Sequence, residues 1–231
     1  MIVLIGIGIA VLIGLVIYFS WLAEKKRREA LSQLATRMGL AYYPVDPLGI
    51  PALLAGIPMF CRGHSRLARN VLRGTVRSRD LILFDFKYTT TETRTDSKGR
   101  TSTRQVDHWF SACVHPLECP LPYLLIRPEG FFDKVADFFG FEDIDFESDE
   151  FSRKFRVKSD DRKFAYDVCH PRMMEWLLAN RGWHLELVSG YLVVTAGERT
   201  WTPEEFTSAI DFALTFFDQI PQFVWKERLA R

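Results

Sequence analysis

Cys61-x-x-His64 and Cys113-x-His115-x-x-x-Cys119 bring together thiol and imidazole side chains, the soft donors that zinc prefers. Structural zinc motifs usually place two tight pairs on turns, and the second set here is irregular. Cys113 and His115, two residues apart, would share one face of a strand, which suits joint ligation and plain edge packing alike. A thiol nucleophile needs a base beside it. Cys169 and His170 are adjacent, so in a strand their side chains would point apart. No Gly-x-Ser-x-Gly elbow and no phosphate-cradling loop occurs, and the clustered glycines lie in the apolar N-terminus. The carboxylates of residues 133–150 lack the spacing of a calcium loop. The sequence therefore predicts no catalytic residue, no cofactor and no bound metal. The alternative is a membrane-bound enzyme with a zinc or thiol centre built from Cys61, His64, Cys113, His115 and Cys119.

The arginines offer a different chemistry. Arg62, Arg66, Arg69, Arg73, Arg77 and Arg79 fall within 18 residues that contain no acid. In a strand, Arg69, Arg73 and Arg77 would share one face, with Leu72 and Val76 on the other. Such a stripe can meet anionic headgroups, where each basic residue gains ~1 kcal/mol. It can instead pair with a protein partner or with the acidic residues 133–150, and the near-neutral charge of the chain favours this pairing. The whole chain carries +1; setting aside Lys25, Lys26, Arg27, Arg28 and Glu24 leaves 26 basic and 28 acidic side chains, a net −2. A general nucleic-acid binder would be basic, so nucleic acid is excluded as a partner. The four cysteines are scattered, as in a protein of a reducing compartment.

The elements that carry these residues begin with residues 2–22, which contain no charge. At ~1.5 Å per residue such a helix matches a bilayer core of ~30 Å. Tyr18 and Trp21 sit at its end, followed by Lys25, Lys26, Arg27 and Arg28 as membrane-flanking basic residues. That asymmetry predicts a single-pass protein of the cell membrane with its C-terminal domain cytoplasmic. Gly6, Ala10 and Gly14 recur on one helical face, a pattern that permits a homodimer and is also common in membrane helices generally.

Residues 23–39 read as a juxtamembrane helix stopped by Gly39. Residues 40–120 read as a β-rich lobe. Ile82, Phe84, Phe86 and Tyr88 alternate along one strand and Phe110, Ala112 and Val114 along another, with a polar Thr-rich hairpin between. The prolines Pro120 and Pro122 mark a boundary, and residues 121–231 read as an α+β lobe. Within it, Ser189-Gly190 turns a hairpin, and Thr202-Pro203-Glu204-Glu205 is a capping box opening the last long helix. The fold class is thus α+β: an N-terminal transmembrane helix, then a soluble two-lobed domain of antiparallel strands and packed helices.

The stretch Phe146-Glu147-Ser148-Asp149-Glu150-Phe151, then Phe155-Arg156-Val157, Asp161, Ala165 and Pro171-Arg172-Met173-Met174-Glu175-Trp176-Leu177-Leu178, resembles a bacterial family of uncharacterised membrane-anchored proteins, catalogued as a domain of unknown function. The resemblance is clearest over residues 146–178. It implies a membrane-anchored domain and no inherited catalytic residue. Members often carry paired membrane helices, whereas a single one is read here. Together these features predict a membrane-tethered interaction module that binds a protein partner or anionic lipid headgroups without catalysis, with Arg69, Arg73 and Arg77 as the contact residues.

Overall fold

A computed structural model describes residues 2–95, 99–130 and 140–229, with side chains from Leu12 to Glu227 outside those gaps. The chain opens with one continuous helix, α1 (Ile2–Met38), ended by Gly39 at φ 70°. Among the described residues no helix is long and apolar enough to cross a membrane, which corrects the expected transmembrane helix. The physical reason is continuity: α1 does not end where the apolar stretch does, and the helix runs unbroken through Lys25, Lys26, Arg27 and Arg28. The same helix then carries Arg27 into the protein interior. The side chains of residues 1–11 lie outside the described ones.

Eight strands form one antiparallel sheet: β1 (Ala41–Val45), β2 (His64–Val76), β3 (Arg79–Thr95), β4 (Thr101–Pro116), β5 (Leu124–Pro128), β6 (Phe155–Ser159), β7 (His184–Val188) and β8 (Tyr191–Thr195). Their spatial order is β1-β2-β3-β4-β8-β7-β5-β6. This corrects the two-lobed reading, because β4 pairs β8 from Ala112↔Thr195 to Pro116↔Tyr191 and joins the two halves in one sheet. The C-terminal half of β4 is buried on both faces, as an internal strand must be. Pro44 sits in the edge strand β1, where a missing N–H is tolerated.

Both faces of the sheet are covered. On one, Leu31, Leu34 and Ala35 of α1 pack with α6 (Pro203–Gln219) over Leu72, Leu83, Cys113, Leu192 and Val194. The capping box of α6 is present, with Thr202 and Glu205 each satisfying the other's backbone N–H. The shorter helices α3 (Asp149–Lys154), α4 (Arg162–Val168), α5 (Pro171–Ala179) and α7 (Gln222–Leu229) contribute to this layer. The other face is covered by α2 (Ile50–Leu53) and a 3-10 turn (Pro58–Cys61). From that turn Phe60 packs its ring 5.1–5.8 Å from those of Phe86, Phe84 and Phe110.

One polar cluster interrupts the helix-covered face. Asp85 of β3 is fully buried. Arg27 of α1 donates to both its carboxylate oxygens at 2.9 Å, Asn70 donates at 2.9 Å and Ser111 at 2.5 Å. Arg27 also donates to the Trp201 carbonyl, and the Trp201 N–H donates to Ser111 at 2.9 Å. Tyr42 completes the chain by donating to Asn70 at 2.8 Å. A buried ion pair is costly to break from one side, because the remaining charge is stranded. Arg27→Met should therefore destabilise the protein by about 3–5 kcal/mol. The double variant Arg27→Met/Asp85→Asn should recover part of that loss. Urea denaturation of both measures it, and equal stability of the single variant and wild type would refute the role assigned to the pair.

Candidate functional site

The five candidate zinc or thiol residues do not assemble into one group, although His115 and the buried Cys119 line the same cavity. Cys61 is exposed and donates to the Ala55 carbonyl at 2.9 Å, while His64 lies on the surface beside Ser65 and Thr91. Cys113 is buried in the helix-side core, and desolvation pushes its thiol up to about 12. His115 is two residues on, with Nδ1 at 2.5 Å from the Asp80 carbonyl and its ring edge-on to Phe217. No group of three or more His, Cys, Asp or Glu side chains among the described residues could hold a metal. His170 caps α5, accepting from the Met173 N–H at 3.3 Å, and its other ring nitrogen lies 3.1 Å from the Gln219 carbonyl. Cys169 beside it is buried, and desolvation raises its thiol far above the ordinary range.

The arginines separate. A β-bulge between Arg69 and Leu72, with Asn70 at φ 53°, shifts the register of β2. Arg69 opposes Asp85 and Arg73 opposes Ile82, so the two arginines lie on opposite faces of the sheet. Arg69 stacks 3.9 Å from the Trp109 ring and pairs with Glu24 of α1 at 3.4 Å. Arg77 sits in the β2–β3 turn and pairs with Asp211 at 3.2 Å. Arg79 pairs with Asp218 at 3.4 Å and stacks 4.8 Å from Phe217. For these three arginines the acids come from α1 and α6, and among the described residues none comes from 133–150. Described acids of that segment have other partners: Asp143 bonds Arg156 at 2.8 Å and Glu150 bonds Arg181 at 3.4 Å.

Of the other flanking basic residues, Arg28 pairs with Glu24 at 3.1 Å and Lys25 with Glu29 at 4.0 Å. Gly14 has no atom of the described residues within 4 Å of a Cβ built upon it. Gly6 and Ala10 fall outside the described side chains.

A groove runs round the end of the sheet at the β2–β3 turn. It is made of adjoining cavities of about 230, 230 and 260 Å³. The first has an apolar floor of Phe217, Trp225 and Leu117, with Arg79, His115, Glu118 and Cys119 around it. The others continue past Asp80 and Pro116 to Arg73, which is exposed and projects from the opposite face. Burial lowers the pKa of His115, and the adjacent Arg79 lowers it further, against a hydrogen bond to Asp80 that raises it. The groove therefore offers the guanidinium groups of Arg73 and Arg79, the carboxylates of Asp80 and Glu118, the His115 imidazole and, in its first cavity, aromatic surface. An anionic group can meet either arginine, and an apolar one can cover the rings of the first cavity.

A second polar group lies under the opposite face. Glu186 is buried in β7, and desolvation raises its carboxyl to about 7 against a hydrogen bond to Tyr123 that lowers it. His184, on the same strand face, is held near 3 by burial, with Arg127 and Arg62 adding repulsion. Near this face, Glu198 accepts from Tyr88 and bonds Arg62 at 3.3 Å and His108 at 3.1 Å. Sequence reasoning passed over Glu186 and His184. The only signal was an acid and a histidine alternating within an otherwise apolar strand.

No family model and no curated protein matches the sequence. Among solved structures, the crystal structure of the mycobacterial trehalose monomycolate transport factor A, TtfA, is similar in fold. It superposes with a TM-score of 0.58 at 12% identity, covering 85% of this chain and 93% of that one. The likeness extends across both halves of the sheet and is one of fold.

Two outcomes follow from these burial states. A thiol-reactive dye should titrate one cysteine, Cys61, in the native chain and all four in denaturant. Native labelling of Cys113 or Cys169 would contradict their burial. Glu186 binds its proton more tightly folded than unfolded, so it costs nothing below its ordinary 4.5 and lowers stability as pH rises to about 7. His184 acts oppositely, lowering stability as pH falls from 6.5 towards 3, so the two oppose each other between pH 4.5 and 6.5. Glu186→Gln should leave stability near wild type at pH 4 and exceed it by up to about 3 kcal/mol at pH 8. Denaturation curves at both pH values, showing no such divergence, would rule the effect out.

Proposed function

We propose that this chain is a non-catalytic interaction module working at a membrane surface, and that its end groove binds an acidic, partly apolar segment of a protein partner. The observation that carries the reading is the groove itself: Arg79 stands over an aromatic floor of Phe217 and Trp225, and the groove continues past Glu118 and Asp80 to Arg73. An acidic side chain can meet the guanidinium groups while a neighbouring apolar residue covers the rings. The fold neighbour is a trehalose monomycolate transport factor, and that likeness is compatible with a transport-related binding role.

The membrane part of the reading rests on α1. Between residues 12 and 21, Leu12, Ile13, Leu15, Val16, Ile17, Tyr18, Phe19 and Trp21 are each 48–64% exposed. So large an uncovered apolar face calls for a cover, and lipid supplies one. A headgroup in the end groove is disfavoured by position. The groove is at the β2–β3 turn, whereas this apolar stretch leaves the domain at the opposite end of β2. A protein partner is therefore the better occupant.

The test is binding of synthetic peptides that alternate Glu with Phe, followed by calorimetry, with Lys-for-Glu peptides as controls. The acidic peptides should bind and the basic ones should not. Arg73→Ala and Arg79→Ala should each weaken binding about five- to thirtyfold, as loss of a charge-assisted hydrogen bond does. Raising the salt should weaken it further. Equal affinity of both variants and wild type would remove the groove from the reading.

A further inference from the structure

The direction of α1 relative to the strands is fixed at three points. Glu24 meets Arg69, Arg27 meets Asp85, and the chain beyond Met38 meets Gly74, where an added Cβ would lie 2.8 Å from Leu40. The helix therefore runs parallel to β2 and antiparallel to β3. Its exposed apolar stretch leaves the sheet at the end towards which β3 rises and from which β4 returns.

At that same end β3 and β4 outrun the rest of the sheet. The last β2 partner of β3 is Thr89, opposite His64. Beyond it, β3 and β4 pair only with each other among the described residues, from Thr91↔Gln105 to Thr95↔Thr101, and all ten of these residues are exposed. Asp85 to Thr95 is ten residues, about 33 Å at strand rise. Arg27 back to Trp21 is six residues, about 9 Å at helix rise. Even allowing for twist, the ribbon reaches beyond Trp21. A flat surface that covers the apolar stretch of α1 must meet the ribbon as well.

The ribbon cannot enter hydrocarbon. Its ten paired residues are Thr, Ser, Gln, Glu and Arg, with no apolar side chain. The outer N–H and C=O groups of a two-stranded ribbon also need polar partners, which a bilayer core does not supply. The headgroup layer does supply them. Arg94 and Arg104 lie on one ribbon face, opposite Ser102 and Glu92, and Arg100 stands at the start of β4. Among the described ribbon pairs, two arginines against one glutamate favour anionic over neutral headgroups.

We propose that the β3–β4 ribbon is a headgroup-contact arm, placing Arg94 and Arg104 among anionic lipids when the apolar stretch of α1 meets a bilayer. The inference rests on the membrane part of the proposed function and is independent of the groove.

The test uses the full chain reconstituted in phosphatidylcholine liposomes, with and without phosphatidylglycerol. In a Cys61→Ser background, which leaves only buried thiols, Thr93→Cys carries a fluorophore and the lipid headgroups carry a quencher. Quenching should be several-fold greater with phosphatidylglycerol and should fall with salt. The double variant Arg94→Ser/Arg104→Ser should abolish the difference, since each arginine at an anionic surface is worth about fivefold in affinity. Absence of quenching in either lipid, or equal quenching in both, would overturn the proposal. A second label at Ile17→Cys, read with an acyl-chain quencher, separates the failures. If Ile17 is quenched and Thr93 is not, the arm is wrong; if neither is, the membrane reading falls with it.

Discussion

The contact between Arg27 and Asp85 sets the arrangement of nearly everything else. An aspartate at the centre of a sheet would be intolerable alone, since a buried charge needs a partner and its remaining lone pairs need donors. Four elements answer that need. Helix α1 sends Arg27, β2 sends Asn70 from its bulge, β4 sends Ser111, and the loop before α6 offers the Trp201 carbonyl to the same guanidinium. The requirement to satisfy one carboxylate therefore fixes the height of α1, the bulge in β2 and the entry to α6 together. Replacing the pair with apolar residues could preserve stability, but it would remove the geometric reason for α1 to dock in this register.

The bulge in turn explains the fate of the arginines. Strand periodicity alone puts Arg69, Arg73 and Arg77 on one face, and that reasoning holds only for an uninterrupted ladder. Asn70 occupies the left-handed region to bring its amide to Asp85, and the inserted residue reverses the facing of everything downstream. Arg69 is left against α1 and Trp109, and Arg73 passes to the groove side. A polar demand from a distant strand thus broke a local pattern, which is why the pattern misled.

Local signals elsewhere were readable. The stop at Gly39, the turn at Ser189-Gly190, the capping box at Thr202 and Glu205, and the apolar faces of β3 and β4 all depend on neighbours in sequence, and all are present. The pairing of β4 with β8 depends on residues about 80 apart in sequence, and no local pattern announces it. The same is true of the groove. Arg79, His115, Phe217 and Trp225 come from four separate stretches that only the closed sheet with α6 and α7 brings together. The basic residues after the apolar N-terminus read naturally as a flank. One of them, Arg27, is distinguished from its neighbours only by where the helix surface turns at that residue.

The position of Trp201 gives α1 an unusual history. The helix is synthesised before the sheet, yet a carbonyl it needs is 174 residues further on. At a synthesis rate of about 5–20 residues per second, Arg27 waits roughly ten to thirty-five seconds for it. Asp85 follows 58 residues after Arg27, and until the Trp201 carbonyl arrives the guanidinium lacks one of its partners. The set of contacts that fixes α1 is therefore completed only when the loop before α6 has been made.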